Sequence, residues 1–206
     1  MHNMILVLMF WIVSSNSMSQ KTKPFEGIIS FEVKDVKAND SIRMETVIFC
    51  KDSLIKVVSF NELTGKQELL KHLTYGKSYL LFETQDQKYA VQTNEHLINE
   101  QTTYSFKKKC GRQKIGGLVS TKLEVKYKAN QIPLTCYFSK KMDKKYANSM
   151  LNFPGFPTLF YTFSDRQIFK HTLINIEHKK LPLTFFMIPE DYKILSWEEF
   201  IELFSD

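Results

Sequence analysis

The feature that most constrains this chain is a run of short, strand-like segments joined by links of a few residues, with no β-α-β rhythm between them. "FEGIISFEVK" (Phe25 to Lys34) alternates imperfectly between apolar and polar residues, and reads as a strand. "IRMETVIFC" (Ile42 to Cys50) and "SLIKVVSF" (Ser53 to Phe60) flank Lys51-Asp52, which predicts a tight hairpin. "QELLKHL", "SYLLFET" and "KYAVQT" continue the series, with Gly76-Lys77 and Gln85-Asp86-Gln87 as connectors. Links this short make sequential strands antiparallel neighbours, because a parallel pair needs a crossover of a dozen or more residues.

The second half is less regular. Glu95 to Lys109, ending in Lys107-Lys108-Lys109, reads as a solvated loop. "KIGGLVSTKLEVKY" (Lys114 to Tyr127) reads as a strand bulged or bent at Gly116-Gly117. "IPLTCYFS" is a further strand, and "KKMDKKYANSML" (Lys140 to Leu151) a basic helix with Met142, Tyr146, Ser149 and Met150 on one face. In "NFPGFPTLFYTF" (Asn152 to Phe163) Pro154 and Pro157 end that helix and Gly155 offers a positive φ between them. "QIFKHTLINIEHK" then pairs back through a turn near Asp165-Arg166, and "LTFFMIPEDY" ends the sheet region. "SWEEFIELF" is a short helix, with a Ser196/Glu199 capping box and a Trp197, Phe200, Ile201, Phe204 stripe. The fold class expected is mainly β with few helices: a strongly curved antiparallel sheet, or half-open β-barrel, covered by short helices.

Residues 1–19 read as a signal peptide and 20–206 as a single β-rich domain. "MILVLMFWIV" (Met4 to Val13) is too short to span a bilayer as a helix, and "SMS" before Gln20 has the small-x-small form of a cleavage site. The basic stretch that usually precedes such a run is represented only by His2. Export by the general secretory route, to the periplasm or beyond the cell, follows from this reading, with no integral membrane segment after cleavage. In that setting Cys50, Cys110 and Cys136 can supply one disulfide and one thiol, or stay reduced in buried strands. The net charge of +6 comes from lysines spread along the whole chain, without an Arg-rich helix or an aromatic RNA-binding signature. That pattern points to solubility rather than a nucleic-acid partner.

The chain carries no GxSxG, HExxH, P-loop or GxGxxG pattern. His171 and His178 stand seven apart, which on an uninterrupted strand puts them on opposite faces. The carboxylate pairs Glu198-Glu199 and Glu190-Asp191 fit a helix first turn and a turn beside Pro189. No catalytic residue, metal site or cofactor is therefore assigned. What is left over is an aromatic surplus, 17 Phe and 9 Tyr, on a sheet expected to curve. A curved sheet with too little bulk to fill it leaves a cavity for an apolar ligand. Its candidate lining residues are Phe153, Phe156, Phe160, Trp197 and Phe200.

"KKKCGRQKIGG", "IPLTCYFS", "NFPGFPTLFYTF" and "INIE" occur in an order that resembles the GLPGLI family of exported bacterial proteins. Asn152 to Pro157 stand where that family has Gly-Leu-Pro-Gly-Leu-Ile, with Asn152 replacing its first Gly and Pro157 its last Ile. "FFMIPEDYKIL" is similar to the ending of related exported domains. The resemblance implies a half-barrel like that of the periplasmic lipoprotein carriers (LolA-like). It also implies a lipid or acyl-chain ligand held without catalysis. The alternative is a structural or interaction module that binds another envelope protein through an exposed strand edge or the basic helix.

Overall fold

The computed structural model describes residues 24–36, 43–61, 65–84, 87–93, 104–128, 130–164 and 167–203. The expected signal segment, residues 94–103, the expected turn at Asp165-Arg166 and Phe204 lie outside them. The strands are β1 (Glu26–Asp35), β2 (Arg43–Lys51), β3 (Leu54–Asn61), β4 (Gly65–His72), β5 (Lys77–Glu83) and β6 (Lys88–Thr93). They continue with β7 (Tyr104–Ile115), β8 (Leu118–Tyr127), β9 (Asn130–Ser139), β10 (Phe156–Ser164), β11 (Gln167–His178) and β12 (Lys193–Leu195), and end with one α-helix, α1 (Trp197–Leu203). All twelve form a single sheet in the order β12-β6-β5-β4-β3-β2-β1-β11-β10-β9-β8-β7. Its neighbours pair antiparallel except β12 with β6, so the short-link argument from sequence holds.

The sheet does not close. Its two edges, β7 and β12, stand at opposite ends of the strand order, and the strong curl expected for a half-barrel is not what is observed. The β7–β8 turn reaches β11. There Gly116 lies so close to Leu173 that an added Cβ would stand 2.4 Å from Cγ. Gly116 and Gly117 have φ of 52° and 83°, so they form a two-residue hairpin turn rather than a bulge inside a strand. The expected loop ending at Lys109 is also corrected. Lys107 and Lys108 lie within β7, opposite Glu124 and Leu123 of β8, with their side chains in solvent.

Two coverings bury the sheet. On one face, the β9–β10 crossover inserts Tyr146, Met150 and Phe153 into the main core, against Phe25, Ile29, Phe31, Tyr127 and Phe138. The helix expected over Lys140 to Leu151 is reduced to a 3-10 turn at Lys144–Tyr146. Asp143 caps that single turn, but Ala147 is already extended and Met150 has φ 60°. The segment is held by tertiary anchors instead: the Phe25 N–H donates to Tyr146 Oη at 2.8 Å and the Asn152 N–H to Tyr104 Oη at 3.1 Å. On the other face, "LTFFMIPEDY" is not a strand. A 3-10 turn, Leu183–Phe186, sets Phe185 against Phe49 and beneath the Lys56 ammonium. Glu26 ties this strap down by accepting from the Leu181 N–H at 2.7 Å and pairing with Lys51. These bonds hold the Glu26 carboxyl below its ordinary pKa, the Lys51 contact contributing most.

The β9–β10 corner shows what "NFPGFP" does. Pro157 sits opposite Phe138 at a register shift, where its missing N–H is tolerated. Gly155 does not supply a positive φ. It lets the chain pass against β9, where a Cβ would meet the Ser139 carbonyl oxygen at 2.5 Å.

Candidate functional site

A cavity of about 240 Å³ lies between the central strands and the crossover. Strict alternation along β1 turns Phe31 inward, where it is 3% exposed. The β2–β3 hairpin contributes two directly opposed pairs, Ile48 with Val57 and Thr46 with Ser59. From β10 come Pro157, Phe160 and Thr162, from β11 His171, and Ala147, Asn148 and Ser149 of the crossover cover part of it.

His171 reaches this cavity because of an irregularity that alternation cannot show. The β1–β11 register slips between Ser30/Asn175 and Phe31/Leu173, leaving Ile174 as the extra residue. The slip cancels the odd spacing, so His171 and His178 lie on the same face, opposite Val33 and Gly27. This corrects the expectation of opposite faces. They are far apart along the strand even so: His178 meets Phe25 edge-on, while His171 stacks flat on Phe160 with centroids 4.5 Å apart. His171 Nε2 shares a hydrogen bond with Thr162 Oγ1 at 2.8 Å. Burial among apolar neighbours lowers its pKa to about 4, so the imidazole is neutral at ordinary pH. Asn148 Oδ1 is buried, with almost no accessible surface, and finds no hydrogen-bond partner among the described residues.

The aromatic residues expected to line a cavity separate. Phe160 does line it. Phe153 and Phe156 are core side chains with 0% exposure, Phe156 resting on Phe31 and Phe153 against Tyr104 and Phe106. Trp197 and Phe200 lie on α1 at the other end of the sheet, where Phe200 packs on Phe82 and the Trp197 ring. Phe31, Ile48, Val57, Asn148, Thr162 and His171 were not singled out from sequence as lining residues. The β2–β3 pairs were within reach once the Lys51-Asp52 hairpin was drawn, whereas Asn148 and His171 depended on the lost helix and the register slip.

A separate polar cluster inside the fold centres on Tyr127. Tyr127 Oη lies 3.4 Å from Cys136 Sγ and accepts from the Tyr161 N–H at 3.3 Å. Burial pushes the Cys136 thiol up to about 12 and raises Cys50 as well, which keeps both protonated and unreactive. All three cysteines are free, Cys110 being exposed. Among the described residues no group of three His, Cys, Asp or Glu is placed to hold a metal, and no helix is long and apolar enough to cross a membrane. Compared with known proteins, the chain matches no family model and no curated protein.

Proposed function

We propose that this is an exported, non-enzymatic binding protein that holds a small apolar ligand between its sheet and the β9–β10 crossover. The observation that carries the reading is the cavity of about 240 Å³, lined by Phe31, Ile48, Val57 and Phe160. The space is partly open to solvent and mostly apolar in its lining, which lets a small apolar molecule enter and bury its surface there. It is smaller than the roughly 300–1,000 Å³ usual for ligand sites, which favours one short acyl chain or a ring-sized molecule over a whole phospholipid. The resemblance to the GLPGLI family and the lipoprotein carriers is in keeping with such a ligand, but the reading rests on the cavity. The open sheet supplies the site without a half-barrel.

The test is titration with the neutral fluorophore N-phenyl-1-naphthylamine. Saturable binding by the wild-type protein, abolished by Val57→Phe and by Ala147→Leu in folded protein, is expected. Undiminished binding in both filled variants would place the probe elsewhere and overturn the reading.

A second reading, an envelope interaction module, is favoured by β7. This twelve-residue edge strand is exposed on both faces for most of its length and carries Lys107, Lys108, Lys109, Arg112 and Lys114. Its cations and the register shift between Lys108 and Arg112 are devices that hinder indiscriminate strand pairing. A stoichiometric acidic partner in cross-linking, lost on Lys107→Glu with Lys109→Glu, would favour it.

A further inference from the structure

The positive charge of the chain gathers at one end of the sheet. Residues 104–145, which form β7, β8, β9 and the start of the crossover, hold 12 Lys and Arg against two acidic residues, Glu124 and Asp143, a net charge of +10. The whole chain carries +6, so everything outside this segment sums to −4. Counting the adjoining residues 94–103 as well, with Glu95 and Glu100, still leaves +8. The strand order puts β7, β8 and β9 side by side with β7 as the edge, and the next strand, β10, has no charged residue. Both acids of the segment are already engaged. Glu124 pairs with Lys109 at 3.1 Å, and Asp143 Oδ1 accepts from the Lys145 N–H at 3.0 Å.

Every residue of β7 from Ser105 to Lys114 is exposed. Lys107 and Lys108 are successive in the strand, opposite Glu124 and Leu123, and so leave from opposite faces. Because no strand lies beyond the edge, long side chains from both faces can reach past it. Lys107, Lys108, Lys109, Arg112 and Lys114 therefore share one boundary of the molecule. That boundary is poorly made for a further strand. Lys109, Cys110 and Gly111 together stand against the single β8 residue Lys122, which interrupts the ladder in its middle. Contacts made there fall to side chains rather than to backbone pairing. Four of the five cations are lysines, point charges that demand no fixed fork geometry. Cations splayed from both faces of one strand fit a plane of phosphates better than a partner with one shaped contact.

We infer that this end of the sheet docks edge-on, through β7, against an anionic lipid surface. The inference goes beyond the apolar-ligand reading and does not rest on it, and it gives the basic edge a lipid rather than a protein partner. Phe106 and Val119, 36% and 55% exposed on β7 and β8, supply apolar contact beside the cations.

The experiment is co-sedimentation of the full chain with vesicles of phosphatidylcholine alone or with about 30% phosphatidylglycerol. The quantity read is the ratio of binding to anionic over neutral vesicles, since the apolar run Met4 to Val13 is common to all variants. At about 50 mM salt the wild-type ratio is expected to reach about thirtyfold, and at about 500 mM to fall close to one. Lys108→Gln with Arg112→Gln and Lys114→Gln should lower it at least about tenfold, each cation near the surface counting for about fivefold. Lys66→Gln with Lys77→Gln and Lys193→Gln makes the same change of charge on exposed residues of β4, β5 and β12, and should lower it less than about twofold. A wild-type ratio near one, or equal losses in the two triple variants, would overturn the inference. Saturable binding of the alternating acidic peptide (Glu-Val)4 without any preference for anionic vesicles would overturn it in favour of strand pairing. Each of these outcomes leaves the cavity reading untouched, because probe binding there is measured without lipid.

Discussion

Gly155 and His171 are the two residues whose behaviour follows most directly from their surroundings. A methyl group at Gly155 would stand 2.5 Å from the Ser139 carbonyl oxygen and 2.8 Å from the Phe138 ring, both in the buried corner. Gly155→Ala is expected to lower stability by about 1–3 kcal/mol, the usual cost of overpacking. In a chain of this size that is about 2–4 °C of melting temperature per kcal/mol. An unchanged melting midpoint would contradict the steric account. His171 has a folded pKa of about 4, against an ordinary value near 6.5. The unfolded chain therefore binds the extra proton first as pH falls. The contribution of a neutral His171 is complete above about pH 6.5 and is lost towards pH 4, by up to about 3 kcal/mol. Chemical denaturation at pH 7 and pH 5 should show this loss, and His171→Gln should flatten it. Sequence revealed that Gly155 and its prolines make a corner. It did not reveal that the glycine is needed for close approach, because the neighbour it approaches, Ser139, is known only once β9 and β10 are paired.

At the scale of elements, the crossover and the terminal helix contrast. The crossover is fixed by contacts made far from it in sequence, above all Tyr146 Oη accepting the Phe25 N–H. Tyr146→Phe keeps the ring contact with Phe25 but orphans a buried donor. A loss of about 1–3 kcal/mol is expected, with faster hydrogen exchange at the Phe25 amide. If the exchange rate did not change, the bond would not be what anchors the segment. Helix α1 is local. Ser196 Oγ accepts from the Glu199 N–H at 3.1 Å, and Glu199 returns the bond from the Ser196 N–H at 2.7 Å, as the capping-box spacing predicted. Ser196→Ala should cost about 0.5–2 kcal/mol of helix stability. The effect should appear as faster exchange confined to residues 197–203, without a shift of global melting. The same difference explains what was legible. A cap is written within four residues, so it could be read. The Met142, Tyr146, Met150 pattern correctly marked apolar residues packed on the core, but it could not show that the backbone leaves the helix after one turn.

For the whole molecule, the alternation and short links announced a mainly antiparallel sheet, and the structure is one. Closure was not legible, because it depends on whether the edges meet, and alternation is the same in an open sheet and a barrel. The site was legible only in kind. An aromatic surplus suggested an apolar space, but its lining comes from five strands and the crossover, held together by the Ile174 irregularity and the Tyr146 anchor. The central claim is that this space holds a small apolar ligand. The measurement that bears on it most directly is mass spectrometry of the protein purified from the organism that makes it, first intact under non-denaturing conditions and then as a solvent extract. The account predicts a folded species carrying about one equivalent of a small apolar molecule, absent from a Val57→Phe preparation made in the same way. A wild-type protein with no apolar molecule attached, together with an extract no different from that of Val57→Phe, would contradict it.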